Sequence, residues 1–110
     1  MREILTEAHI RANIDNIQWY EISWCVALSE DFIREFQDRV DWPSISWCQK
    51  LSEDFIREFQ DKVYWRNISY QKKLSKEFIL KFADKLDPGI VLFYQDLDQE
   101  TREYLLLLKG

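Results

Sequence analysis

The sequence predicts an all-α protein, a short α-solenoid of about five two-helix repeats with degenerate terminal caps. The first observation is a fifteen-residue phrase that occurs twice, beginning at Leu28 and at Leu51, with only two positions changed. The second is a diverged copy that begins at Leu74, after the same step of 23 residues. The third is composition, because two Gly and two Pro in 110 residues leave little material for turns and hairpins.

The same step extends the repeat toward both ends of the chain. Worn copies begin at Leu5 and at Leu97, so the units lie near residues 5–27, 28–50, 51–73, 74–96 and 97–110. Terminal repeats of a solenoid usually differ from the others because one face of each meets solvent. We therefore expect residues 1–110 to form a single helical-repeat domain.

Each unit is predicted to begin with a short helix that a serine caps. A serine hydroxyl can accept a hydrogen bond from an orphan backbone N–H, and acidic residues in the first turn complement the helix dipole. Phe32, Ile33 and Phe36 then share one helical face, and this apolar stripe recurs in the next two units. The three capping residues are Ser29, Ser52 and Ser75.

A second short helix is predicted to follow in each unit. In the second unit it begins near Asp41, with Pro43 in the first turn, where the missing N–H is harmless. Trp42 and Ile45 share a face at i, i+3, and the Trp and Ile pair recurs in the neighbouring units. Helices this short do not persist alone, so stacking on neighbours must hold them.

The pattern W..IS...LSEDFI.EF.DKV, over roughly residues 17–87, resembles tandem repeats in uncharacterised proteins of large DNA viruses, phages and some bacteria. The resemblance implies an α-helical repeat and a viral or mobile-element setting, and it implies no catalytic residues. Residues 87–89 depart from the pattern, so we expect the fourth junction between units to bend differently.

The charge distribution argues against a general nucleic-acid binder. The net charge is −5, and nucleic-acid affinity depends on clustered Lys and Arg. Residues 66–86 are nevertheless basic. The acidic residues of the repeated phrase could imitate a phosphate backbone. Alternatively, they form a solvated helix face with Glu30–Arg34 and Glu35–Arg39 ion pairs. The lysines of the basic segment are Lys72, Lys73, Lys76, Lys81 and Lys85.

Aromatic residues recur at one position of the second helix. Trp24, Trp47 and Tyr70 are spaced by one repeat, with Phe93 in the matching place. Trp47 lies about 200° from Ile45 around a helix, so an inward Ile45 turns Trp47 away from the core. The alternative is that contacts on both sides bury these rings within the stack.

No constellation of residues predicts an enzyme. His9 is the only histidine and no partner is fixed near it, so no catalytic residue is assigned. Cys25 and Cys48 are one repeat apart. Stacked helices lie roughly 8–10 Å apart, which is too far for a disulfide. Two cysteines are also too few ligands to bind a metal. We expect them to be small packing residues, and no cofactor is predicted because a Gly-rich phosphate loop is absent.

The C-terminal residues 104–108 place four leucines in succession after a tyrosine. They could cap the core, or they could leave an apolar end through which two copies associate. The residues assigned to this second possibility are Tyr104, Leu105 and Leu108.

Together these patterns favour a non-enzymatic protein–protein interaction module in the cytoplasm, which is the host-cell cytoplasm if the protein is viral. No apolar run reaches the roughly 20 residues of a membrane span and no signal-peptide core is present, so no membrane partner is expected. In a viral or phage setting the module would occlude a host or defence protein, CRISPR effectors included. A nucleic-acid-associated protein or acidic mimic, and a self-assembling structural repeat protein, remain open alternatives. The predicted partner-binding residues are Trp24, Trp47, Tyr70, Lys72, Lys73 and Lys76.

Overall fold

The computed structural model describes residues 6–71 and 73–109, apart from the side chains of Cys25 and Lys109. This part of the chain confirms the predicted all-α helical-repeat array, with two helices in each of the first four units, one in the fifth, and an elongated shape of 50 × 30 × 20 Å. Odd-numbered helices begin the units, and even-numbered helices complete the first four. They are α1 (Glu7–Ala12), α2 (Trp19–Cys25), α3 (Glu30–Glu35), α4 (Trp42–Cys48), α5 (Glu53–Glu58), α6 (Trp65–Ile68), α7 (Lys76–Lys81), α8 (Pro88–Tyr94) and α9 (Gln99–Lys109). Leu5, where the first unit was predicted to begin, lies outside the described residues.

Side-chain caps begin the odd-numbered helices, as the sequence predicts. The Ser29 hydroxyl accepts the backbone N–H of Phe32 at 3.1 Å, and Ser52 and Ser75 do the same for the phenylalanines three residues on. Thr6 and Asp98 cap the terminal helices α1 and α9 in the same way. Ser, Thr and Asp therefore all serve at this capping position, because each has a short side chain whose oxygen can accept the unpaired backbone N–H.

Helix α8 at the fourth junction begins with the same kind of cap as α4. The irregular helix is α6, one unit earlier. Asp87 caps α8 through the N–H of Ile90, as Asp41 caps α4 through that of Ser44. By contrast α6 has only four residues, and Lys73 has a φ of 63°, the one positive value for a non-glycine in the described chain. The capping of α8 is thus like that of α4, and the different bend expected at residues 87–89 stays a prediction.

A tryptophan packs across each of the first three interfaces between units. Trp42 packs on Phe55 and Phe59 of the following unit, with ring centroids 6.3 and 5.3 Å apart. Trp19 and Trp65 make the same contacts one repeat before and one repeat after. Because the aromatic rings supply much of the buried area, the core forms between units rather than inside them.

Polar side chains also connect one unit to the next. Glu30 accepts hydrogen bonds from the backbone N–H and the hydroxyl of Ser52, at 2.6 and 3.0 Å. Arg34 donates to Glu58 across the same interface, and Arg11 donates to Glu35 across the preceding one. These hydrogen bonds lower the pKa of both glutamates.

Neither the predicted Glu30–Arg34 pair nor the predicted Glu35–Arg39 pair is among the ion pairs of the described residues, although the equivalent Glu53–Arg57 pair forms one repeat later at 3.8 Å. The glutamate at the start of α1, α3 and α5 faces the capping serine of the next unit, where two donors meet one carboxylate. Several of the recurring acids are thus used inside the stack and do not form an uninterrupted anionic face.

A candidate aromatic interaction surface

Five aromatic side chains line one exposed edge of the solenoid, which we call the aromatic edge. Trp24 and Trp47 project from α2 and α4 and are 48% and 46% exposed, while Ile45, two residues before Trp47, is fully buried. The burial of Ile45 against the stack therefore turns Trp47 outward, as the helical spacing predicts. The aromatic edge consists of Trp24, Trp47, Tyr70, Phe93 and Tyr94.

Four of these rings touch in a continuous row. Trp47 meets Tyr70 edge-to-face at a centroid distance of 4.8 Å, and Tyr70 meets Tyr94 at 5.0 Å. Tyr94 in turn contacts Phe93 at 4.9 Å. Edge-to-face contacts of this kind hold the rings in place, so the row presents a preorganised surface.

Tyr94 joins the row although the repeat pattern did not identify it. It occupies the repeat position of Cys48, two units further on, and directly follows Phe93, the ring that the pattern placed in the row. Phe93 is 80% exposed and leans on Tyr94 rather than on Tyr70. The two adjacent aromatic residues of α8, a helix with an outward face, were the feature of the sequence that could have identified Tyr94.

A shallow groove separates Trp24 from Trp47. Tyr20 and Pro43 complete its apolar wall, and Asp41 lies at its margin, in a cleft of about 350 Å³. Tyr20 stands one helical turn before Trp24, and this i, i+4 spacing could have identified it from the sequence. The groove is wide enough for an apolar side chain of a partner but too open to enclose a small molecule.

Lysines flank the other side of the edge. Lys73 lines a cleft of about 620 Å³ with Trp47 and Tyr70, and Lys50 borders the preceding cleft with Trp24. Both lysines are exposed, and the ion pairs of the described residues include neither. Lys50 occupies the same repeat position as Lys73, so aligning the units would have found it.

Lys76, the other predicted basic residue that the structure describes, does not line the clefts beside the aromatic edge. Lys76 forms an ion pair with Asp98 at 2.8 Å and lines a separate groove with Leu80 and Tyr104. Its hydrogen bond holds the pKa of the Asp98 carboxyl well below its ordinary value. Lys76 thus connects two units, and its assignment to the partner-binding set stays a prediction. Lys72 lies outside the described residues.

His9 and the two cysteines were the candidate reactive residues in the sequence. His9 is exposed, and its Nδ1 lies 3.2 Å from the hydroxyl of its capping neighbour Thr6. Cys48 is exposed and borders the clefts beside the aromatic edge, while the side chain of Cys25 lies outside the described residues, so the role of the cysteines as small packing residues stays a prediction. The described residues contain no group of three or more His, Cys, Asp or Glu that could hold a metal ion.

The C-terminal leucines divide between the two predicted roles. Leu105 is fully buried and caps the core, which removes it from the residues assigned to self-association. Tyr104 is 45% exposed, Leu107 is 80% exposed, and Leu108 is exposed as well. The end of the solenoid is therefore capped by one leucine and left apolar by its neighbours.

None of the helices described is both long enough and apolar enough to cross a membrane. Comparison with known proteins finds no match to a family model, to a curated protein or to a solved structure.

Proposed function

We propose that this chain is a non-enzymatic protein-interaction module that binds a protein partner along the aromatic edge. One observation carries the proposal, namely the aromatic edge on its helical scaffold, where Trp24, Trp47, Phe93 and Tyr94 are exposed and Tyr70 is half-buried. Tryptophan and tyrosine dominate binding hot spots because they bury a large area at little entropic cost. Scattered exposed rings would need no explanation, but rings repeated at one position of each unit form a surface.

The charges around the edge indicate the character of the partner. Lys50 and Lys73 stand beside the rings with no ion pair among the described residues, so they favour acidic side chains on a partner. A partner segment that combines apolar side chains with Asp or Glu fits this arrangement. The resemblance to repeats of viruses and phages extends the proposal to a cytoplasmic inhibitor that occludes a host or defence protein, CRISPR effectors included.

The proposal is tested by affinity capture from a host-cell lysate, before and after nuclease treatment, followed by titration of the purified partner. The test variant is the double substitution Trp24→Ala and Trp47→Ala. The matched control is Tyr104→Ala, because Tyr104 is exposed to nearly the same extent but lies on α9. Calorimetry reports affinity per site, so association between copies of the chain does not disguise the result.

We expect the double variant to weaken binding by about 30-fold or more, which corresponds to a loss of at least 2 kcal/mol at a hot spot. The Tyr104→Ala control should bind as the unaltered chain does. A partner that binds both variants equally well would refute the assignment to the aromatic edge. Absence of any captured protein would contradict a soluble partner in that host.

A nucleic-acid role is the second candidate, because aromatic rings beside lysines can stack single-stranded bases. The two exposed lysines Lys50 and Lys73 provide few phosphate contacts, which weighs against it. Titration of a fluorescent single-stranded oligonucleotide at several salt concentrations separates the candidates. Affinity that falls steeply with salt and vanishes in the double variant would replace the protein-partner proposal.

A further inference from the structure

Three clefts follow one another along the aromatic edge, one at each of the first three interfaces between units. Each is lined by an aromatic ring, a lysine and a buried or half-buried glutamine. The middle cleft is the largest of the three, at about 620 Å³ against about 430 and 480 Å³. We call it the central cleft, and the lining residues used below are Trp47, Lys50, Leu51, Tyr70, Gln71 and Lys73.

The glutamine of the central cleft is out of register with those of the other two. Gln49 and Gln95 occupy the same repeat position, and their Oε1 atoms accept the backbone N–H of Leu28 and of Leu74, at 3.0 and 3.1 Å. Gln71 comes one position early in the repeat, and its Nε2 donates to two carbonyls of the preceding unit. The shift therefore keeps the donor side of the glutamine contact and changes the acceptor side.

The central cleft has an open donor and an open acceptor as a result. Leu51 occupies the repeat position of Leu28 and Leu74, but its backbone N–H makes no hydrogen bond in the described part of the chain. Within the same residues, Oε1 of Gln71 accepts none. Both residues are half-buried and line the cleft, so a bound acceptor or donor would recover the cost of leaving these groups unpaired.

The charge of the central cleft is positive. Lys50 and Lys73 line it, no acidic residue among those described does, and the ion pairs of the described residues include neither lysine. Of the acids closest to them in sequence, Glu53 is held by the capping serine of the next unit, and Glu77 lines none of the three clefts. Asp96 lies beside Lys73 in the following cleft, so the central cleft is the better suited to a carboxylate.

A carboxylate matches this cleft better than a phosphate group does. Proteins usually hold phosphate with arginine forks or with several backbone N–H groups that converge. The lining of the central cleft contains no arginine among the described residues, and it offers one open N–H, that of Leu51. Its walls are aromatic, which favours an apolar side chain next to the acid.

We propose that the central cleft binds an extended segment of the protein partner in which an acidic residue adjoins an apolar one. The carboxylate pairs with Lys50 and Lys73, while the apolar side chain packs on the rings. A main-chain carbonyl of the segment accepts the N–H of Leu51, and a main-chain N–H donates to Oε1 of Gln71. This inference rests on the proposed function, because the cleft belongs to the aromatic edge, and it adds the position of the acid and the way the main chain is held.

NMR titration of the ¹⁵N-labelled full chain with synthetic peptides tests the central cleft. The probe is acetyl-Leu-Glu-Pro-Leu-Glu-Pro-Leu-amide, in which proline favours an extended main chain. The control peptide has Gln in place of each Glu. The acidic peptide should move the amide signal of Leu51, whereas the amides of Leu28 and Leu74, which glutamines already accept, should stay in place.

The test variant removes both lysines and keeps the backbone. Lys50→Ala introduces the residue that the first unit has at this repeat position, and Lys73→Asn suits the positive φ of 63°. The matched control is Lys85→Ala, because Lys85 is exposed and lines none of the three clefts. We expect the unaltered chain and the control to bind the acidic peptide at least about tenfold more tightly than the neutral one, and the double lysine variant to bind the two alike.

Trp47→Ala separates this proposal from the function proposed for the edge. If Trp47→Ala weakens both peptides but the double lysine variant still prefers the acidic one, the central cleft is overturned and the aromatic edge stands. If Trp47→Ala binds both peptides as the unaltered chain does while the lysine variant loses its preference, the carboxylate site is supported and the use of the rings is contradicted. An amide of Leu51 that the acidic peptide leaves in place, or that inorganic phosphate moves equally, also overturns the proposal.

Discussion

Gln49 is expected to be the polar residue whose loss most weakens the contact between two units. Its side chain is buried and makes three hydrogen bonds to the backbone, two of them to the preceding unit and one to the first residue of its own unit. Oε1 accepts the N–H of Leu28 at 3.0 Å, while Nε2 donates to the carbonyls of Ser23 and Val26 at 2.9 and 2.7 Å. The substitution Gln49→Met keeps the shape of the side chain and removes all three partners.

The expected loss follows from the groups left behind. An unsatisfied buried donor or acceptor costs about 1–3 kcal/mol, and water can reach Val26 more readily than the others. Taking the lower figure for each of three groups gives a loss of about 3 kcal/mol. That is a large share of the roughly 5–15 kcal/mol that stabilises an ordinary domain.

Urea denaturation followed by circular dichroism measures the free energy of unfolding, and a loss of this size lowers the midpoint by roughly 2 M. Amide hydrogen exchange supplies a local readout, because the N–H of Leu28 loses its acceptor while that of Ile33 keeps the carbonyl of Ser29. Gln18→Met, at an exposed glutamine, is the matched control. If both variants unfold at the same urea concentration, the carboxamide bridge does not hold the units together.

Further predictions concern the tryptophans and the altered last interface. Trp42→Ala should lower the free energy of unfolding by about 3–5 kcal/mol, because it empties an inter-unit contact, whereas Trp47→Ala at the exposed edge should cost less than about 1 kcal/mol; chemical denaturation of the two variants compares them. Lys76→Glu should lower the thermal midpoint, because it places a second carboxylate beside that of Asp98. Adding Asp98→Ser should restore the midpoint, because it rebuilds the glutamate–serine hydrogen bonds of the earlier units. A midpoint that does not recover would count against this contact between units. Because the folded-state pKa of Asp98 lies below its ordinary value of 3.8, its stabilisation is complete above that value and is lost as the pH falls through the folded-state pKa. Asp98→Asn should therefore be less stable than the unaltered chain at pH 7, and the difference should narrow in acid-titrated melts.

The sequence alone was sufficient to predict the repeat, the capping serines and the outward turn of Trp47. These features depend on interactions between residues close in sequence. The same pattern occurs in several units, so each unit supports the interpretation of the others. The sequence was insufficient for the pairing of charges, because Glu30 can reach Arg34 one turn on or Ser52 in the next unit. Only the stacking distance between helices decides between them, and no single unit contains that distance.

The candidate site was predicted in part for the same reason. The rings at the repeat position were found, but Tyr94 and the separation of Lys76 from Lys73 were not. Helix α6 ends after four residues, and Gln71 reaches the carbonyls of Ser46 and Gln49, the role that Gln49 plays one unit earlier. That one-residue shift is invisible to an alignment that keeps the step of 23.

The ties between units have a consequence for how such a chain could change in length. The inter-unit hydrogen bonds described here join residues 18 to 26 positions apart, so each unit is fitted only to its immediate neighbours. A duplicate of residues 28–50 inserted between two units would meet complementary surfaces on both sides. The protein would then grow in whole steps, adding one interface and one ring to its edge each time, while its two ends stayed as they are.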